Sequence, residues 1–199
     1  MIYNLYMKNY QIELENYIKN TSVKEKLALH SCCGPCSSYV LEYLKNYFEV
    51  TVFFYNPNIH PQAEYYLRLS EQKKLCEIYG VELIECDYNP DAFLAAVQGF
   101  ENEPEGGKRC TKCFDMRLKN TAKIAKSMGF DLITTTLTVS PHKNAALINE
   151  IGQAAAQEQS LQWLPSDFKK RGGYLRSIEI CRQYGIYRQD YCGCQFSMR

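Results

Sequence analysis

An α/β fold with a mainly parallel sheet covered on both faces is predicted by three observations. Short apolar runs of strand length alternate with segments of helical period. Glycine closes several of the helical segments, as at Gly80, Gly129 and Gly185. Loops of odd composition follow the strands: "HSCCGPC", "YNPNIHP", "CDYNP" and "TVSPHKN".

The elements follow in order. Residues 4–20 have an amphipathic pattern, with Leu5, Ile12, Tyr17 and Ile18 among the apolar positions. "KLALH" reads as the first strand, Ser38 to Phe48 as a helix, and "EVTVFFY" as the second strand. A helix over Glu64 to Tyr79 stops at Gly80 and leads to the strand "VELIEC". A helix follows from about Pro90 to Val97, then another over Asp115 to Met128. The run "FDLITTTLTV" reads as strand, Lys143 to Gln157 as helix, "LQWLP" as a short last strand and Tyr174 to Tyr184 as the final helix. The most irregular segment is "QGFENEPEGGKRC".

With 199 residues, 46% apolar and 23% charged, the chain suits one domain over 1–199, with 1–22 as a helical extension. No apolar run approaches the roughly 18 residues of a membrane span, and the first twenty residues lack a signal-peptide core. A cytoplasmic protein with no membrane partner is expected. Its net charge of +1 excludes a polycation, so contact with nucleic acid must be local.

Ten cysteines in a reducing compartment point to metal binding or redox chemistry more than to a disulfide framework. Three groups stand out: Cys32, Cys33 and Cys36; Cys110 and Cys113; Cys192 and Cys194. Cys76 and Cys181, inside helical patterns, and Cys86, at a strand end, read as small buried hydrophobes. Short-spaced pairs far apart in sequence are what a four-thiolate site needs, and zinc and iron-sulfur clusters both accept them. Spacing leaves Cys33 with Cys36 as good a pair as Cys32 with Cys33. The first group precedes a helix, whose N-terminus favours thiolate or a cluster's negative charge. In "CGC", Gly193 would ease the backbone around a small redox-active ring.

The ordered set "HSCCGPCS", "YNPNIHPQAEYYLR", "EGGKRCTKCFDMRL", "TTTLTVSPHKN", "DFKKRGGYLRS" and "YRQDYCGC" resembles the QueH type of epoxyqueuosine reductase, from about Lys26 to Ser197. The resemblance implies deoxygenation of epoxyqueuosine to queuosine at the tRNA wobble position, a [4Fe-4S] cluster with an adjacent mononuclear iron, and no cobalamin. It makes Cys32, Cys33, Cys110 and Cys113 the cluster ligands, Cys192 and Cys194 the redox-active pair, and Cys36 with Asp115 candidates for the neighbouring iron. The layout is also similar to nucleotide α-hydrolases, a Rossmann-like three-layer fold, although "SCCGPCS" departs from their "SGGxDS" phosphate turn and puts ATP use in doubt.

Removing an epoxide oxygen takes two electrons and two protons. No G-x-G-x-x-G follows a strand, so an external electron donor feeding thiolate-ligated iron is expected. His30, His60 and Asp87 are conceivable acids. Lys169, Lys170, Arg171 and Arg176 around Tyr174 suit a single-stranded anticodon loop. Asn56, Asn58, Glu64, Tyr65 and Arg68, with Ser140 and Lys143, fall on the same expected sheet edge and are candidates for binding the modified base. Two other classes fit these residues: a zinc-dependent or redox-switch RNA-binding protein without reductase activity, and a metal-free thiol–disulfide oxidoreductase using Cys33 and Cys36. Oligomeric state is not legible.

Overall fold

The computed structural model describes residues 8–198. Five parallel strands form one open sheet in the order β3-β2-β1-β4-β5: β1 Lys26–His30, β2 Glu49–Phe54, β3 Glu82–Glu85, β4 Leu132–Thr135 and β5 Gln162–Trp163. Seven helices accompany them among the described residues: α1 Tyr10–Asn20, α2 Gly34–Leu44, α3 Gln62–Tyr79, α4 Pro90–Val97, α5 Lys108–Ser127, α6 Ala145–Glu158 and α7 Gly173–Tyr184. None is long and apolar enough to cross a membrane.

Alternation along the strands divides the core in two. Leu27, Leu29, Val50, Val52 and Leu132 join Leu14 of α1, Val40 and Leu41 of α2, Leu75 of α3 and Cys181 of α7. Ala28, Phe53 and Ile133 point the other way, to Leu118 and Ala122 of α5 and Ile148 and Ala155 of α6. The sheet is thus sandwiched, which is why its central strands are buried from their second residue on and mostly apolar. Cys76, Cys86 and Cys181 are buried, as expected of small hydrophobes.

Several boundaries differ from expectation. The first helix begins at Tyr10, with the Asn9 side chain accepting from Ile12 N at 3.3 Å; Leu5 lies outside the described residues. α2 starts at Gly34, before Ser38, because Pro35 needs no amide partner in a first turn. α5 starts at Lys108 instead of Asp115, which makes Cys110 and Cys113 helical. β4 ends at Thr135, whose hydroxyl accepts from Leu137 N at 3.2 Å and turns Thr136–Val139 into a 3-10 helix.

α2 and α7 approach closely at Gly173, where an added Cβ would lie 2.0 Å from the Phe168 carbonyl oxygen and 2.4 Å from Tyr39 Cε1. Gly173→Ala is therefore expected to cost roughly 2–3 kcal/mol in a urea titration, as overpacking does. An unchanged midpoint would contradict this close approach.

Candidate active site and metal centre

Strand order reverses between β1 and β4, and the crevice outside the carboxyl ends at such a switch point is where open α/β sheets bind ligands. The turn after β1 carries Cys32, Cys33 and Cys36, and the segment after β4 carries Ser140 and Lys143. Between them opens a cavity of about 610 Å³, lined by these residues together with Arg117, Tyr174 and Cys192.

The Cys32, Cys33 and Cys36 sulfurs all lie within 4.8 Å of one another. Cys32 Sγ is 3.8 Å from Cys33 Sγ and accepts from Thr136 Oγ1 at 3.4 Å. S–H donation from Cys33 and Cys36 holds the Cys32 pKa well below the usual thiol range against burial, with Lys143 and Arg117 assisting. The same contacts push Cys36 well up, and burial pushes Cys33 to about 12. Three thiols so close titrate as a unit, with Cys32 the one whose thiolate is favoured. Two sulfurs bound to one tetrahedral zinc ion at about 2.3 Å each lie about 3.8 Å apart, and the Cys32–Cys33 separation of 3.8 Å matches that spacing.

The second group lies on α5 beside the third. Cys110 packs against the apolar cluster that contains Cys32 and Cys33, and its sulfur accepts from Gly106 N at 3.2 Å. Cys113 and Cys194 share a smaller cluster with Phe93 and Val97. Burial raises the Cys113 pKa to about 12, with Arg117 pulling it down and Cys192 and Cys194 nearby. All ten cysteines are free thiols here.

A strap after α7 brings Cys192 to the cavity and buries Cys194 beside Cys113, and α3 holds that strap. Arg68, almost fully buried, donates to Glu64 Oε1 at 2.7 Å and to the carbonyls of Cys192 and Tyr191 at 3.1 and 3.3 Å. Gly193 adopts φ +126°, and a Cβ there would meet Arg68 Nη1 at 2.9 Å. The Gly193 carbonyl accepts from His60 N at 2.7 Å, and Gln189 Nε2 donates to Cys33 Sγ at 2.9 Å.

The residues expected from sequence divide accordingly. Ser140, Lys143 and Tyr174 line the cavity, as do Arg68 and the first thiol group. Asn56 is fully buried, donating to the Ser31 carbonyl at 2.9 Å and accepting from Arg117. Asn58 is buried too, and Tyr65 stacks on Tyr88 at 3.9 Å inside a core cluster. None of these three lines the cavity, and Tyr65 borders the separate cleft that holds Asp87. Asp115 is not brought to the thiols: it pairs with Lys119 at 3.4 Å, on a face of α5 turned about 200° from Cys113. Lys169 pairs with Asp167 at 2.8 Å, Arg171 with Glu15 at 3.0 Å, and Arg176 with Glu42 at 2.8 Å and Glu179 at 3.0 Å. Of that basic segment, Lys170 alone among the described residues is exposed without an ion pair.

Among the conceivable acids, Asp87 lines a separate cleft with Gln62 and Tyr66, and His60 is exposed. His30 is fully buried, with Nδ1 2.8 Å from Thr135 Oγ1 and Nε2 unpartnered. Burial, helped by Arg117, lowers its pKa from 6.5 to about 3, so the imidazole stays neutral. Unfolding at acid pH then takes up a proton, and stability is lost as pH falls from about 6.5 toward 3. The loss approaches about 1.4 kcal/mol per pH unit within that window. Urea titrations from pH 7 to 4 are expected to show this extra slope in the parent and not in His30→Gln; equal slopes would refute the assignment.

Arg117 was not singled out by the sequence. It is fully buried on α5 and follows Cys110 and Cys113 at helical spacing, a signal readable only once α5 is known to begin at Lys108.

Comparison with known proteins adds the decisive observation: the family model described as Epoxyqueuosine reductase QueH matches residues 27–199. The chain belongs to the QueH family. A protein of Streptococcus pyogenes serotype M1 named Epoxyqueuosine reductase QueH is 45% identical over 184 residues, 89% of this chain and 72% of that protein. A Staphylococcus epidermidis protein of the same name is 43% identical over 206 residues, 96% of this chain and 87% of its own length. A Thermotoga maritima QueH protein is 32% identical over 173 residues, 85% of this chain and 88% of that one. Membership in this oxidoreductase family agrees with the α/β sheet and with a thiol group able to hold metal.

Proposed function

We propose that this chain is a cytoplasmic epoxyqueuosine reductase acting on tRNA, with thiolate-bound iron-sulfur chemistry and no cobalamin. The observation that carries the reading is that Cys32, Cys33, Cys36 and Cys192 line one cavity with Arg117 and Lys143 at the switch point of the sheet, while Cys110 packs against the cluster that holds Cys32 and Cys33. The donors present fit such a group, being thiols with buried cations beside them. Cys32, Cys33, Cys110 and Cys113 would hold the [4Fe-4S] cluster, and Cys36 would serve a neighbouring iron without Asp115. When bound, such a centre passes electrons singly from an external donor.

The chain's own residues account for the rest. Converting an epoxide to an alkene breaks both C–O bonds and consumes two electrons and two protons, releasing water. Cys192 and Cys194 as a dithiol hold two electrons and two protons, and give them up on closing a disulfide. Cys192 lines the cavity, and Cys194 lies two residues on, buried beside Cys113. Lys143 presents an ammonium to the same space, its charge favoured by Cys192 and the first thiol group in spite of burial. An ammonium there stabilises negative charge on the departing oxygen.

Anaerobic incubation of reduced protein with epoxyqueuosine-bearing tRNA, followed by nucleoside mass analysis, tests the reading. Loss of one oxygen from the modified nucleoside supports it, and unchanged nucleoside with iron-loaded protein refutes it. A single zinc ion on the Cys32 trio is the one competing occupant the geometry favours, and colourless protein with stoichiometric zinc would select it. For tRNA contact, Lys170→Ala is expected to lower the salt slope of binding by about one, as one phosphate contact requires. An unchanged slope would remove Lys170 from the interface.

A further inference from the structure

Arg117 has an environment unusual for a guanidinium. It is 2% exposed, and among the described residues no carboxylate pairs with it. Its Nη2 donates to Asn56 Oδ1, which is neutral, and its Nε has no partner. Taking an ion out of water costs several kcal/mol unless an opposite charge compensates. The groups that face it are thiols from three parts of the chain: Cys113 on its own helix, Cys32 on the turn after β1, and Cys192 on the strap. Arg117 lines the same cavity as Cys32, Cys33, Cys36 and Cys192. Of the other buried arginines among the described residues, Arg68 pairs with Glu64, and Arg109 donates to the main-chain carbonyls of Glu101 and Glu103.

We infer that Arg117 is the fixed counter-charge of the thiolate-bound metal centre and a determinant of its reduction potential, with Asn56 holding the guanidinium in place. The inference rests on the metal-centre reading above. Adding one electron to a bound centre adds one negative charge, which a cation held beside it in low dielectric favours. Removing that cation makes the reduced form harder to reach. Lys143 adds positive charge at the mouth of the same cavity, whereas Arg117 is enclosed and less screened. Arg117 is a positioning residue in this account: it acts through the centre rather than on substrate.

The test is a reductive titration with dithionite, monitored by electron paramagnetic resonance, on anaerobically reconstituted protein. Arg117→Met is expected to shift the midpoint to more negative potential, and Arg117→Lys to restore most of the shift because it keeps the charge. A merely structural role would lower iron content while leaving the loaded fraction at the parent midpoint. Asn56→Asp gives a second route that keeps the arginine but neutralises it, and a negative shift is expected there also. Should Arg117→Met not fold, the Asn56→Asp midpoint decides. Parent and Asn56→Asp proteins titrating together would overturn the inference, as would Arg117→Lys shifting as far as Arg117→Met. Parent protein that takes up no iron and sulfide would instead defeat the metal-centre reading, so the two failures are distinguishable.

Discussion

Cys33→Ala is expected to lose its metal and to lower turnover by more than about 100-fold, the upper range for removing a mere supporting contact. Cys33 belongs to both donor sets the protein offers: the trio with Cys32 and Cys36, and the four-thiol set that adds Cys110 and Cys113 from α5. It caps α2, so its sulfur sits at the positive end of that helix, and Gln189 Nε2 ties it to the strap. Iron and sulfide per chain after anaerobic reconstitution give the readout. Two further variants separate the sets. If the four-thiol set holds a cluster, Cys110→Ala empties it, and Cys36→Ala loses at most a neighbouring iron. If the trio alone holds one ion, Cys36→Ala releases it and Cys110→Ala does not. Cys33→Ala protein that keeps full iron and full turnover would sink both assignments.

The central sheet was legible because β1 and β2 are buried on both faces beyond their first residue and therefore mostly apolar. β5 was harder, since only Gln162 and Trp163 pair with β4. The start of α5 was illegible for a different reason. "KRCTKC" carries three basic residues and two cysteines, with no apolar period until α5 packs its Cys113 and Leu118 face inward. Missing that turn hid the helical register that places Cys110, Cys113 and Arg117 together, and left Asp115 standing near them in sequence although it faces away.

Residue type sufficed to find the thiols, because clustered cysteines are rare in reduced proteins and have few uses. It failed for the basic segment. Arg171 and Arg176 looked available for phosphate, yet their partners Glu15 and Glu42 lie 156 and 134 positions away. Pairings at such separation depend on tertiary packing and leave no local pattern. The same holds on α3, where Arg68 and Glu64 are expected at the base-binding edge: Arg68 lines the cavity and, paired with Glu64, also secures the strap.

Arg68→Met is accordingly expected to destabilise the protein by roughly 3 kcal/mol, because it leaves Glu64 without its partner and two strap carbonyls without donors. The Arg68 guanidinium also stacks 4.9 Å above the Tyr191 ring, a cation–π attraction that an uncharged thioether does not supply. Arg68→Lys keeps the charge but cannot reproduce a planar fork reaching Glu64, Tyr191 and Cys192 at once, so partial recovery is expected. The effect should concentrate on the strap, since His60 N to Gly193 O is among the few other ties near the "CGC" turn. Alkylation of Cys192 by iodoacetamide in native protein is therefore expected to speed up in Arg68→Met well below the urea concentration of global unfolding. If stability falls but Cys192 reactivity stays at the parent rate until global unfolding, Arg68 supports α3 alone and the Cys192–Cys194 segment is held by something else.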